Sequence, residues 1–125
     1  MTQEDKKLLL KDLCTRLSYN VICQVEFKEN GKYNSKVMLL SGIFTDEAYF
    51  TTKGGSIYSN EYKPYLFPLS SMTEEEKLMY EGLMIGTDNI SYMLDVIDWL
   101  NAHHFDYRGL IKKGLAIDAT GLNIY

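Results

Sequence analysis

The densest run of reactive side chains is His103-His104-Phe105-Asp106-Tyr107-Arg108, which holds both histidines of the chain. Imidazole, carboxylate, phenol and guanidinium are the groups that acid–base catalysis and anion recognition use. A metal reading would take the two imidazoles with Asp106. Neighbouring residues on a helix point about 100° apart, so both rings reach one ion only if the helix has ended. The convergent H-x-x-x-H spacing is absent. The architectural alternative puts both histidines in the last turn of a helix, at the negative end of its dipole, and pairs Arg108 with a helical carboxylate. A second cation lies near a tyrosine at Lys63 and Tyr65. Both segments are non-periodic, and a cation beside a phenol suits an anionic or planar ligand. The candidate ligand-binding set is therefore Lys63, Tyr65, His103, His104, Asp106, Tyr107 and Arg108, with no catalytic or metal-ligating residue assigned and no cofactor expected.

Other constellations resolve more simply. Asp95 and Asp98 share a helix face, but paired carboxylates do acid–base work only where one of them is dry, and both read as solvated. Glu74, Glu75 and Glu76 occupy the first turn of a capped helix, where acids favour the dipole. There is no phosphate-cradling glycine loop, no dinucleotide fingerprint and no nucleophile elbow. Cys14 and Cys23 lie nine positions apart with no nearby histidine; they read as small apolar core residues in a reducing compartment. Tyr49, Tyr58, Tyr62 and Tyr65, near Lys53 and Lys63, would stack a base or clasp a partner, although tyrosine is equally an ordinary half-buried strand residue.

The net charge of −4 works against phosphate neutralisation, so no nucleic-acid partner is expected. No apolar run approaches the roughly 20 residues that span a bilayer, and the charged start MTQEDKKLLLKDL lacks a leader's apolar stretch. The expectation is a cytoplasmic protein with no membrane association.

These side chains need elements to position them. Residues 1–125 read as one α+β domain, with a core large enough to stand without metals or disulfides. Thr2 caps a first helix whose stripe is Leu9, Leu10, Leu13, Cys14 and Leu17, with Lys7, Lys11, Asp12 and Arg16 on the wet side and a stop near Ser18. Val21, Cys23, Val25 and Phe27 alternate with polar neighbours as a half-buried strand does. Asn30-Gly31 follows as a hairpin turn. A second strand runs over residues 35–44 with a bend at Gly42. Thr45-Asp46-Glu47 turns the chain into short strands at 48–52 and 57–58. Residues 62–69 hold both prolines and read as an extended connector. The meander of residues 20–60 forms a small bent antiparallel sheet or an SH3- or Sm-like partial barrel. Thr73 and Glu76 make a capping box. The helix it opens has Leu78, Met79 and Leu83 on its apolar face and ends by Gly82 and Gly86. Asp88 or Asn89 caps a third helix, with Met93, Leu94, Ile97 and Leu100 inside and Asp95, Asp98 and Asn101 outside. These two C-terminal helices pack on one side.

KPYLFPLSSMTEEEK (residues 63–77), DWLNAHHFDYRGLIKKGLAID (residues 98–118) and the opening KKLLLKDLCTRLSYNV (residues 6–21) resemble a group of small proteins encoded by gut anaerobes, their phages and mobile elements. The β-meander matches only in its pattern of strands and turns. The group carries an arginine where this chain has Phe67, so any role of that arginine is absent here. The resemblance brings no activity, cofactor or partner; its setting implies counter-defence. Three functions stay open: a non-catalytic interaction protein acting on a host protein, a binder that sequesters a small anionic or nucleotide-like molecule, and an enzyme built on residues 103–108. A concave basic pocket at a subunit interface would suit the second, so a homo-oligomer is open too.

Overall fold

A computed structural model describes residues 1–44, 47–85 and 90–125. The expected turn at Thr45-Asp46, the helix stop at Gly86 and the cap at Asp88 or Asn89 lie outside the described residues. Helix α1 (Gln3–Arg16) opens on a full capping box, in which Thr2 Oγ1 accepts from Asp5 N–H and Asp5 answers to Thr2 N–H. A 3-10 turn, Leu17–Tyr19, ends it. Five antiparallel strands follow: β1 (Ile22–Glu29), β2 (Lys32–Phe44), β3 (Glu47–Thr52), β4 (Gly55–Ser59) and β5 (Glu61–Pro68). Asn30 and Gly31 both take positive φ, 52° and 79°, which lets a two-residue turn match the twist of β1 and β2. The register of β2 against β3 slips between Leu40 and Gly42, the expected bend.

The expected connector is strand β5, paired with β1 from Cys23↔Pro64 to Glu26↔Glu61. Helix α2 (Glu74–Met84) starts on the Thr73–Glu76 capping box and runs through Gly82. Helix α3 (Ile90–Ala102) precedes two short strands that the sequence pattern did not reveal, β6 (Phe105–Asp106) and β7 (Ile117–Asp118). Both lie parallel to β5. The result is α+β with an open, mixed seven-stranded sheet in the order β4-β3-β2-β1-β5-β6, β7 also pairing with β5.

One apolar cluster joins Leu9 and Leu13 of α1 to Val21, Cys23, Val25, Leu40, Phe50 and Leu66, closed by Leu110 and Leu115. A second gathers Met72, Val96, Leu100 and Phe105, with Tyr80, Leu83 and Trp99 packed against it. The alternation entering and following β1 buries Val21, Cys23 and Val25, and leaves Phe27 half-buried.

The faces of the helices differ from expectation. In α1 the buried set is Leu9, Asp12, Leu13 and Arg16, while Cys14 and Leu17 are exposed. Asp12 and Arg16 face inward because each is the other's partner. Cys23 is buried as expected, and burial pushes its thiol pKa up. In α2 the inner face is Tyr80 and Leu83, leaving Leu78 and Met79 outside. In α3, Val96, Leu100 and Asn101 are buried, while Met93 and Leu94 are exposed.

Candidate functional site

The segment of residues 103–108 meets α1 at a buried polar junction. Asp12 Oδ2 accepts from Arg16 Nε at 2.7 Å, and Asp12 Oδ1 accepts from Arg108 Nε at 3.1 Å. Arg16, fully buried, also donates through Nη2 to the Phe105 carbonyl at 2.7 Å. The Tyr107 ring has the Arg16 guanidinium 4.8 Å and that of Arg108 5.3 Å from its centroid. Tyr107 O–H donates to Asn101 Oδ1 at 2.8 Å, and Asn101 Nδ2 donates to the Thr15 carbonyl. A buried arginine is tolerable here because Nε is paired with Asp12, Nη2 is hydrogen-bonded and the guanidinium lies over the Tyr107 ring, while Nη1 is buried without a hydrogen-bond partner among the described residues.

Asp106 is also buried, and both of its oxygens accept backbone N–H groups, from Leu110 and Ile111, each at 2.9 Å. Its carboxylate thus holds the turn that follows β6. Among the described residues neither histidine is hydrogen-bonded to Asp106. His103 lies exposed against Trp99, ring centroids 4.4 Å apart, with Nδ1 2.9 Å from the Trp99 carbonyl. His104 is the left-handed residue that stops α3, φ 60°, a conformation that favours Gly or Asn. Its ring stacks on Tyr125 at 3.6 Å. Burial, then the charges of Arg16 and His103, lower its pKa to about 4, so it is neutral at pH 7. The Tyr125 hydroxyl accepts from Ile22 N–H and donates to the Tyr65 carbonyl, clasping β1 to β5. Its enclosure raises the phenol pKa.

Lys63 and Tyr65 lie apart from this junction. Tyr65 is buried, its register partner Ile117 of β7. Lys63 is exposed opposite Gln24 and lines a groove of about 790 Å³ beside the start of α1. Lys6, Glu26 and Glu61 share that groove, so its charge is nearly balanced. The structure therefore brings residues 104–108 together with α1 and leaves Lys63 alone on another face. Among the described residues no three of His, Cys, Asp and Glu converge as metal ligands would. No helix among them is long and apolar enough to cross a membrane.

A different feature stands out at the end of the α2–α3 pair. From Ile90 to Asp95 every position is exposed, and four of the six are Ile90, Tyr92, Met93 and Leu94. Such residues fill all sides of the helix, a composition normally found in a core. Ile85 is 81% exposed, Ile90 76% and Leu78 70%. The second core explains why. Tyr80 meets Trp99 at 6.1 Å, and Val96 and Leu100 seat α3, so the hairpin is anchored by its other end.

No family model, curated protein or solved structure matches this chain.

Chemically, the junction is a lock: Asp12, Arg16 and Arg108 engage one another, and Asp106 is engaged by backbone. The groove offers one of the expected cations. The hairpin end exposes Leu78, Ile85, Ile90, Met93 and Leu94 among the described residues, and large exposed apolar patches mark interaction sites. Sequence reading missed it because it assigned Leu78, Met79, Met93 and Leu94 to the core. The available signal was surplus: residues 90–94 hold more large apolar side chains than one helix face can bury.

Proposed function

We propose that the protein is a non-catalytic interaction protein that docks a partner protein on the end of its α2–α3 hairpin. The observation that carries this reading is the solvent-exposed, all-round apolar start of α3 together with Leu78 of α2 and Ile85 just past its end. The engagement of Asp106, Tyr107 and Arg108 within the fold argues in the same direction, since it ties up the polar groups of that segment that an active site would use. The phage and mobile-element setting of the resembling group makes a cytoplasmic host protein the partner class, and the protein an accessory factor acting on it. The alternative, sequestration of a small anionic molecule, is favoured by the groove at Lys63, but Glu26 and Glu61 in the same wall oppose an anion.

The test is retention from a host extract on immobilised wild type, on Leu78→Ser/Leu94→Ser and on Lys63→Ala. The reading expects one retained protein that the double serine variant loses and Lys63→Ala keeps, all three having equal melting temperatures. A partner or ligand lost with Lys63→Ala and kept by the serine variant would move the function to the groove.

A further inference from the structure

We infer that the occupant of the hairpin end is a basic amphipathic helix of the partner protein. This deepens the interaction reading and rests on it. The charge around the apolar residues decides the chemistry. On α2, Glu74, Leu78 and Glu81 follow one another at i, i+4 and i+7, so acid and apolar groups alternate along one exposed stripe, and the exposed Ile85 stands just past the helix end. On α3, Ile90 and Leu94 at i and i+4 form an exposed apolar row that ends on Asp98 at i+8, with Asp95 exposed beside Leu94. The two helices carry Glu74, Glu75, Glu76, Glu81, Asp95 and Asp98 against Lys77 alone, a net −5. The whole chain carries −4, so the protein's excess acid sits on this hairpin. Lys77 is itself 3.5 Å from Glu74.

A surface of this kind selects among occupants. A second copy would set acidic hairpin against acidic hairpin, Glu81 and Asp95 nearest the exposed end, and juxtaposed like charge is how interfaces reject wrong partners. An anionic membrane surface is repelled for the same reason. A helix with apolar residues at i, i+3, i+4 and i+7 and Lys or Arg on its flanks satisfies both components. Met79, Met84 and Met93 lie among the exposed residues, and their unbranched, polarisable side chains adapt to a helix face.

The experiment uses two fluorescent peptides of about 18 residues, long enough for several helical turns. They share leucine at i, i+3, i+4 and i+7, with the flanking positions lysine in the first and glutamate in the second. Anisotropy is read against the full chain at about 50 mM and about 300 mM salt, conditions that differ in screening length. The lysine peptide is expected to bind at least about tenfold more tightly than the glutamate peptide and to weaken at high salt. Leu78→Ser/Leu94→Ser, unchanged in charge, is expected to weaken it about tenfold or more, and Glu81→Lys to weaken it measurably. Equal binding of both peptides would overturn the basic-helix assignment and leave the interaction reading standing. Lysine-peptide binding that ignores the serine substitutions would reduce the effect to bulk charge and overturn the inference. Failure of both peptides would also overturn it, whether or not sedimentation shows a dimer or flotation shows capture by phosphatidylserine vesicles. The interaction reading falls separately, if the serine variant still retains the host partner.

Discussion

Asp12 serves two guanidinium groups at once, one to each carboxylate oxygen. Asp12→Ala therefore leaves the fully buried Arg16 without its counter-charge, and loss of about 3–5 kcal/mol is expected in denaturant titrations. Arg108 is partly exposed, so Arg108→Ala should cost only about 1–2 kcal/mol and leave lysine-peptide anisotropy unchanged. An unaltered melting temperature with lost binding would instead return the site to residues 106–108. His104 gives a pH signature. Its folded pKa of about 4 lies below the ordinary value of 6.5, so the unfolded chain takes up the proton first as pH falls. Its contribution to stability is complete above pH 6.5 and is lost as pH drops toward about 4. His104→Asn keeps a residue that tolerates positive φ and removes the titration. Its melting temperature should fall less steeply than that of wild type across this window; equal slopes would show that His104 is solvated.

At the scale of elements, the outer face of the hairpin and the core between α1 and the sheet make opposite predictions. Leu78→Ser and Leu94→Ser should each change stability by no more than about 0.5 kcal/mol, as exposed substitutions do, whereas Leu13→Ala or Leu66→Ala should cost about 2–5 kcal/mol. Thermal unfolding of the four variants checks this, and a large loss at Leu94 would mean that α3 is seated by its outer face. The contrast also shows what the sequence could tell. Strand alternation at Val21, Cys23 and Val25, the Asn30-Gly31 turn, the bend at Gly42 and the Thr73–Glu76 box were all legible, because each depends on residues within a few positions. The buried stripe of α1 was not, since Asp12 and Arg16 go inside only because Phe105 and Arg108 await them there. Strands β6 and β7 have two residues each and exist only as partners of β5. Residues 103–108 were legible as a cluster, but their engagement depends on α1. The apolar end of the hairpin stayed hidden for a related reason: periodicity says which residues share a face, not whether anything covers it.

Across the whole molecule, short-range and long-range closures divide cleanly. Strands β1 to β4 join neighbour to neighbour through hairpins. The junction instead ties Arg16 to Phe105 and Asp12 to Arg108, separations of 89 and 96 positions, and Tyr125 reaches back 103 positions to Ile22. Closing loops of that length costs chain entropy before any contact repays it. The meander is thus expected to be formed in the folding transition state and the junction to form after it. In stopped-flow chevrons, Val25→Ala should slow refolding, while Asp12→Ala should leave refolding nearly unchanged and speed unfolding. A slowed refolding limb for Asp12→Ala would place the junction in the nucleus. Asp12 then governs how long a folded molecule lasts rather than how quickly one is made.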